Sequence, residues 1–387
     1  MSSTAEMRLA PLAMDRTGVG LEETYIMKGS NKEKALETYH LILAPSFGCN
    51  LQCKHCYLPD HKTHGLSKDD VIRLIDEWSE VVVTERGAMN GIFHLKGGEP
   101  LALPYVNDVL DRLEKIRTLR FMMTTNGTLG DRDVVERLGR LNAALDSSAQ
   151  IIVSIDGSND EVNAQLRQPG NFDKAVAFVR WLRKAGITVF LNNVVHKGNL
   201  NDLEAFVDLA LELDVQQINF LSFVPKGQGE AMRFGRPNPL EVFKRIDAIW
   251  KQSGKRVRSL LAGSLSDILD AESCGTCTSR ECVGGYRGLL YIVPDGTAYS
   301  CPNLNYPGLE AGNVHHEGLP RIHGALIDKV YTKVATPESE NRYRYTCKGE
   351  QGLNPTCDYN GLQFASYIRA SNSCQGTEIS YCFNRNW

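Results

Sequence analysis

Six short apolar runs, each followed by an amphipathic stretch of helical period, constrain the fold of this chain more than any other feature. The runs are residues 39–44, 92–95, 120–124, 150–154, 188–192 and 217–221. Strands that alternate with helices of this length form a parallel sheet. Right-handed crossovers bring the carboxyl ends of all these strands to one edge, where barrels of this kind carry their chemistry. The sequence therefore predicts an α/β fold, a partial (β/α)6 barrel of the TIM type, over residues 38–253.

The rest of the chain divides into three segments. Residues 1–37 show no strong pattern and are predicted to be an N-terminal extension, and residues 254–273 are predicted to be a connector with one short helix. From 274 to 387 the helical periodicity fades while glycine, proline and cysteine become more frequent. This change predicts a small, loop-rich C-terminal domain whose loops surround metal.

Charge and hydropathy exclude several classes of partner. The formal net charge is −3, so no broad basic field favours nucleic acid. No apolar run approaches the length that spans a bilayer. The first residues lack the apolar segment of a secretory signal. We therefore expect a cytoplasmic protein that binds neither nucleic acid nor membrane.

The eleven cysteines fall into two groups. Clustered cysteines in a reducing compartment more often bind metal or take part in catalysis than form disulfides. Eight cysteines are the number needed for two fully cysteine-ligated 4Fe–4S clusters, although some could instead be buried core thiols. The first group is Cys49, Cys53 and Cys56, and the second is Cys274, Cys277, Cys282, Cys301, Cys347, Cys357, Cys374 and Cys382.

The first group lies on one short loop after the first predicted strand, and Tyr57 follows it directly. Three thiolates can hold three corners of a 4Fe–4S cube and leave one iron open to a small molecule. Ordinary electron carriers use four cysteines per cluster, so three close ones indicate chemistry rather than electron storage. A zinc site that uses His55, or three unrelated thiols, are the alternatives.

The second predicted strand ends in Gly97-Gly98-Glu99-Pro100. Two glycines let the backbone approach a ligand closely, and the carboxylate beside them can accept hydrogen bonds from an ammonium group. The same turn could also be an ordinary loop.

The third and fourth predicted strands end in Thr124-Thr125-Asn126-Gly127 and Ser154-Ile155-Asp156-Gly157, and Arg167 follows the latter. The guanidinium of Arg167 suits a carboxylate because it can bind both oxygens at once. Asn126 and Asp156 could instead cap the helices that come after them.

These segments occur in the order and spacing of the radical S-adenosylmethionine (radical SAM) enzymes, which the chain resembles over residues 38–253. The resemblance implies that the three-cysteine loop holds a 4Fe–4S cluster and that SAM binds at its open iron. In that family the reduced cluster gives SAM one electron. The 5′-deoxyadenosyl radical that forms takes a hydrogen atom from the substrate.

The resemblance also implies the residues that contact SAM. The Gly-Gly-Glu turn would hold the amine, while Ser154 and Arg167 would contact the ribose and the carboxylate. Asn192 or Asn193 could reach the ribose, and apolar residues after the sixth strand could hold the adenine, although Phe223 and Val224 could equally be core. The SAM-contact residues are predicted to be Tyr57, Gly97, Gly98, Glu99, Thr125, Asn126, Ser154, Arg167, Asn192, Leu221 and Val224. No catalytic acid or base is assigned, and lone histidines such as His94 are interpreted as structural.

Residues 282–302 are predicted to form a hairpin that turns at Asp295-Gly296. This segment, with Asn313, resembles a SPASM or twitch domain, whose hairpin carries ligands of an auxiliary cluster. The spacing of the later cysteines departs from that pattern, so either one or two auxiliary 4Fe–4S clusters are expected. The first is assigned Cys277, Cys282, Cys301 and one late cysteine.

Relatives with a SPASM domain mostly modify peptides or proteins, and an auxiliary cluster can accept the electron left after hydrogen abstraction. The resemblance therefore implies oxidative modification, such as a crosslink, of a ribosomally made peptide, with flavodoxin or ferredoxin as electron donor. The 48 residues before Cys49 are too few for a fused leader-binding domain, so a separate leader-binding protein or direct binding to the barrel is expected. The alternatives are a small-molecule dehydrogenase or decarboxylase acting on a sugar, tetrapyrrole or amino acid, and a non-enzymatic iron–sulfur carrier.

Overall fold

The computed structural model describes most of the predicted barrel and some segments C-terminal to it. The described ranges are 39–63, 65–86, 91–223, 227–235, 258–261, 289–300 and 310–326, with isolated positions between 237 and 308. The strands are β1 Tyr39–Leu43, β2 Gly91–Leu95, β3 Leu119–Thr125, β4 Gln150–Ser154, β5 Thr188–Val195, β6 Gln217–Ser222, β7 Arg258–Leu261, β8 Leu289–Ile292, β9 Thr297–Tyr299 and β10 Glu310–Asn313. The helices are α1 Lys68–Arg86, α2 Val106–Leu113, α3 Arg132–Ala144, α4 Asp160–Asn163, α5 Phe172–Lys184, α6 Leu203–Glu212 and α7 Leu319–Leu326.

All ten strands belong to one sheet, in the order β10-β9-β8-β1-β2-β3-β4-β5-β6-β7. Neighbours from β1 to β7 are parallel, and β8 also pairs in parallel with β1. This order has two ends, so the barrel is partial. The predicted α/β class and the six predicted strands are confirmed.

Two strand pairings were not predicted. β7 extends the sheet beyond β6 and lies in the stretch expected to be a connector. The predicted hairpin is present, since β8 and β9 are antiparallel around Asp295-Gly296, but β8 also joins the barrel sheet beside β1. The short helix predicted in the connector, at residues 264–272, lies outside the described residues. Of the helical stretch that follows the sixth strand, at residues 240–252, only isolated positions are described.

The period of two along each strand separates two faces of the sheet. Leu41, Phe93 and Phe121 point to the helices and join the main core with Trp78 of α1. The other face carries a separate apolar cluster at the amino-terminal part of the strands, formed by Ile92, Met122, Ile152 and Phe190. Two residues further toward the carboxyl ends, the same face carries the polar residues His94, Thr124, Ser154 and Asn192. The interior wall of the partial barrel thus becomes polar toward its carboxyl edge.

The residues that cap α3 and α4 are not the ones that the sequence suggested. The side chain of Asp131 accepts a hydrogen bond from a first-turn N–H of α3, at 2.8 Å, and that of Asn159 does the same for α4, at 3.0 Å. The suggestion that Asn126 and Asp156 cap these helices was therefore wrong, which leaves both side chains for other contacts. None of the helices in the described ranges combines the length and hydropathy needed to cross a bilayer.

Candidate active site

The cysteine loop follows β1 and carries Cys49, Cys53 and Cys56, which are half-buried free thiols. Its backbone is tied to other parts of the carboxyl edge. The N–H of Lys54 donates to the carbonyl of Leu166, at 2.8 Å, so the loop is anchored to the segment after β4. The three thiols are the only cysteines in the part of the chain that the structure describes.

Burial, the largest cause in each case, raises the pKa of all three thiols, and that of Cys56 to about 11. The free thiols are therefore neutral at pH 7, even though the positive charge of Arg167 opposes the effect of burial on the pKa of Cys53. Metal binding requires thiolates, which an adjacent positive charge stabilises. Three soft sulfur donors on one loop suit the irons of an iron–sulfur cluster.

The described side chains do not have the arrangement that a zinc site completed by His55 would need. Within the described ranges, no three His, Cys, Asp or Glu side chains are placed to hold a single metal ion. Nε2 of His55 instead lies 3.5 Å from Oδ2 of Asp156. A single zinc ion holds its sulfur ligands at about 2.3 Å, so it needs thiols closer together than a cube whose ligands bind separate irons.

The two glycines after β2 pack against the cysteine loop. The N–H of Gly98 donates to the carbonyl of Ser46, and that of Glu99 donates to the carbonyl of Gly48, both at 2.9 Å. A Cβ on Gly98 would overlap carbonyl oxygens of the loop, including that of Gly48, and Gly97 has a φ of +136°. Only glycine therefore allows this turn to approach the loop so closely.

The carboxylate of Glu99 joins the ends of β2 and β3. It is 2% exposed and accepts hydrogen bonds from Oγ1 of Thr125 at 2.6 Å, the N–H of Asn126 at 2.7 Å and the N–H of Leu101 at 3.0 Å. Burial raises its pKa, although these donors oppose that effect. The carboxylate thus has three donors from the protein itself. Its contact with the amine of SAM stays a prediction.

Asn126 connects β3 to the cysteine loop. Its Nδ2 donates to Oδ1 of Asn50 at 2.9 Å and lies 3.9 Å from Sγ of Cys49. Its Oδ1 accepts from the N–H of Thr128 at 2.9 Å. The amide is therefore oriented with its donor side toward the thiol.

Arg167 reaches the cysteine loop from the segment after β4. Its Nε lies 2.7 Å from Oδ2 of Asp156, and one terminal nitrogen lies 3.9 Å from Sγ of Cys53. Burial alone would raise the pKa of Asp156, but Arg167, His55, the hydrogen bond from Val194 and His196 together bring it below its usual value. A buried ion pair thus lies directly beside the predicted cluster ligands.

The fifth strand separates its two asparagines. Asn192 is level with Ser154 across the sheet, and its Oδ1 accepts from Nδ2 of Asn219 at 2.8 Å on the interior face. Asn193 lies on the opposite face, where its Oδ1 is 3.4 Å from Nδ2 of Asn199. Of the two candidates for the ribose, the structure therefore places Asn192 on the interior face.

The remaining predicted contacts are placed in part. Ser154 and Leu221 are half-buried at their strand ends, whereas Phe223 is 1% exposed, as expected of core. Tyr57 lies beside a buried lysine, with Nζ of Lys96 5.4 Å from its ring centroid. The predicted site residues that lie outside the described residues are Val224, Cys274, Cys277, Cys282, Cys301, Cys347, Cys357, Cys374 and Cys382.

Sequence reasoning missed a buried histidine pair in the barrel interior. His40 and His94 stack, with Nε2 of His40 3.3 Å from Nδ1 of His94. Nε2 of His94 lies 2.8 Å from Oγ1 of Thr124. Burial lowers the pKa of His40 to about 3 and that of His94 well below its usual value, so both are neutral. Strand alternation, applied to β1 and β2, could have placed both rings on the interior face.

With this geometry in view, comparisons with known proteins identify the domain. Residues 43–210 match the model of the Radical SAM superfamily. The matched residues, which contain the three-cysteine loop and β2 to β5, therefore form a radical SAM domain.

Curated relatives cover much of the chain at low identity. The AdoMet-dependent heme synthase of Methanosarcina barkeri is 26% identical over 359 residues, which are 87% of this chain and 94% of that protein. The PqqA peptide cyclase of Methylorubrum extorquens is 24% identical over 284 residues, 71% of this chain and 68% of that protein.

Solved structures agree on the fold. Streptococcus suis SuiB bound to S-adenosylmethionine has a TM-score of 0.62 at 17% identity, and the alignment covers 88% of this chain and 78% of the SuiB chain. SuiB bound to its precursor peptide SuiA has a TM-score of 0.63 at 15% identity, over 90% and 77% of the two chains. At these identities the likeness concerns the fold alone.

Proposed function

We propose that this protein is a radical SAM enzyme whose cysteine loop holds a 4Fe–4S cluster. The observation that carries the proposal is the set of three free thiols on one loop at the carboxyl edge of the radical SAM domain. When bound, the cluster would give one electron to SAM, whose C–S bond breaks to methionine and a 5′-deoxyadenosyl radical that can remove a hydrogen atom from an unactivated carbon.

Residues from several segments around the cysteine loop would bind SAM. Arg167 offers a buried positive charge for the carboxylate, since its guanidinium already lies beside Cys53. The Gly97-Gly98 turn offers backbone groups close to the loop, and Ser154 and Asn192 offer polar groups for the ribose. The polar wall that contains these last two would face the substrate.

We propose a peptide as the substrate, which the enzyme would modify oxidatively. A peptide cyclase among the relatives and the fold of SuiB, solved with its precursor peptide, support this proposal. It further requires an electron donor such as flavodoxin or ferredoxin, one or two auxiliary clusters on the later cysteines, and a leader-binding partner or a peptide site on the barrel.

A small molecule of the tetrapyrrole class is the second candidate. The match to the heme synthase extends over 94% of that protein, compared with 68% for the peptide cyclase. A relative aligned over almost its full length shares more than the barrel with this chain. That observation favours a small-molecule substrate independently of the site.

The first experiment measures iron, sulfide and SAM cleavage anaerobically, with the wild type and a Cys49/Cys53/Cys56→Ala triple variant. We expect the triple variant to lose about four irons, the content of one cube. Only the reduced wild type should form 5′-deoxyadenosine. Equal iron contents, or no 5′-deoxyadenosine from the wild type, would refute the proposal.

A second experiment separates the two substrate classes. The reduced enzyme receives either synthetic peptides encoded beside its gene or porphyrins that carry propionate side chains. A true substrate should raise 5′-deoxyadenosine formation above the uncoupled rate and undergo a change in mass itself. Stimulation by porphyrins alone would replace the peptide proposal with the second candidate.

A further inference from the structure

One buried carboxylate, that of Asp156, is shared by two segments of the site. The residue is 0% exposed and follows the carboxyl end of β4. Its Oδ1 accepts a hydrogen bond from the N–H of Val194 on β5 at 2.7 Å. Its Oδ2 lies 2.7 Å from Nε of Arg167 and 3.5 Å from Nε2 of His55. One oxygen thus anchors the carboxylate to the sheet, while the other holds two side chains beside the cysteines.

The backbone of Asp156 is fixed as firmly as its side chain. Its N–H donates to Oδ1 of Asn163, and its carbonyl accepts from Nδ2 of Asn199, both at 2.9 Å. Both asparagines are buried. The position of Oδ2 is therefore set by α4, by β5 and by the turn after β5.

This fixed oxygen determines the direction of the Arg167 guanidinium. The guanidinium is planar and rigid, so an ion pair at Nε orients its terminal nitrogens as well. One of them lies 3.9 Å from Sγ of Cys53. His55 lies in the loop between Cys53 and Cys56, so the same carboxylate also contacts the loop itself.

We infer that Asp156 is a positioning residue for SAM, which fixes the Arg167 guanidinium toward the cysteine loop so that it can bind the carboxylate of SAM. The inference rests on the proposed function. Asp156 acts through Arg167, because its own oxygens are buried and occupied and because a carboxylate in direct contact would repel that of SAM.

The test is a double-mutant cycle on cluster-loaded, unreduced protein, with the dissociation constant of SAM as the readout and iron content measured for every variant. Asp156→Asn keeps the shape and the acceptor for Val194 but presents no charge to Arg167. We expect it to raise the Kd roughly ten- to hundredfold, as for loss of the charged partner of a buried ion pair. Adding Asp156→Asn to Arg167→Gln should change the Kd no further, since the residue through which Asp156 acts is already gone.

Asp202→Asn is the matched control. Oδ2 of Asp202 accepts from the N–H of Ser158, at 2.6 Å, so it stabilises the same turn after β4 through a different contact. We expect this variant to bind SAM like the wild type.

Two results would overturn the inference: a wild-type Kd for Asp156→Asn, or a double variant that binds SAM more weakly than Arg167→Gln does. If Asp156→Asn fails to fold, because Arg167 is then buried without its partner, the comparison of Arg167→Gln with the double variant still decides. Equal Kd values support the inference and unequal values refute it. Failure of the cluster-loaded wild type to bind SAM would refute the proposed function itself.

Discussion

Substitution of Glu99 by glutamine separates a role in the scaffold from a role in ligand binding. The carboxylate is 2% exposed and accepts from Thr125, Asn126 and Leu101. An amide of the same size must turn its NH2 group toward one of the two backbone N–H donors. Each hydrogen bond to a charged group contributes about 1.5–3 kcal/mol, so the loss of one or two should lower the free energy of unfolding by roughly 2–5 kcal/mol.

The assay is urea unfolding of the apoprotein followed by circular dichroism, since no ligand then contributes to stability. Thr125→Val, which removes one of the three donors, should lower the free energy of unfolding by a smaller amount. Glu161→Gln changes an exposed acid and should have little effect. If Glu99→Gln is as stable as the wild type but the cluster-loaded variant binds SAM weakly, then the main partner of the carboxylate is the ligand and the scaffold argument is wrong.

Three other positions carry predictions of their own. Gly98→Ala should reduce the iron content after reconstitution, because its Cβ would overlap carbonyl oxygens of the cysteine loop, whereas Gly139→Ala, with no atom within 4 Å of the added Cβ, should load iron normally; equal loading would refute the packing argument. Burial lowers the pKa of His40 to about 3, and that of His94 also falls. Their contribution to stability is therefore complete above about pH 6.5. Below that pH the unfolded chain binds protons that the folded chain does not, so the free energy of unfolding should fall by up to about 1.4 kcal/mol per pH unit for each histidine as the pH drops toward about 4. Urea unfolding of the wild type and of His40→Gln across this range checks it, and identical slopes would contradict it. Asp131→Ala removes the N-cap of α3 and should cost about 1 kcal/mol by the same method, while an unchanged midpoint would show that the cap contributes nothing.

The sequence predicted those parts of the fold that have a local period. The strands from β1 to β6 were found because short apolar runs alternate with helical stretches, and Asp295-Gly296 marked the turn between β8 and β9. The parallel pairing of β8 with β1 could not be found in this way, because its partners are distant in the chain and no local pattern records them. β7 is four residues long, too short to show a period.

The sequence predicted which residues lie in the site but not which groups their side chains contact. Glu99 was singled out as a ligand for an amine, yet its carboxylate accepts hydrogen bonds from the end of β3 and from the backbone after β2. Asp156 was weighed as a helix cap, yet its carboxylate pairs with Arg167 and His55. The direction in which each side chain points determines its partners. That direction depends on contacts between strands that only the folded sheet brings together.

Asn192 and Asn193 show how such contacts also decide what a side chain can offer a ligand. The sequence presents two identical neighbours, and the period of two along β5 sends them to opposite faces. On the interior face, Nε2 of Gln217 donates to Oδ1 of Asn219, at 2.6 Å, and Nδ2 of Asn219 donates to Oδ1 of Asn192. This series of amides fixes the orientation of the last one, because the oxygen of Asn192 is already an acceptor. The NH2 of Asn192 is thus left for an acceptor such as the ribose oxygen predicted from the sequence, while its oxygen keeps a second lone pair. The orientation of the Asn192 amide thus depends on β6, a neighbouring strand.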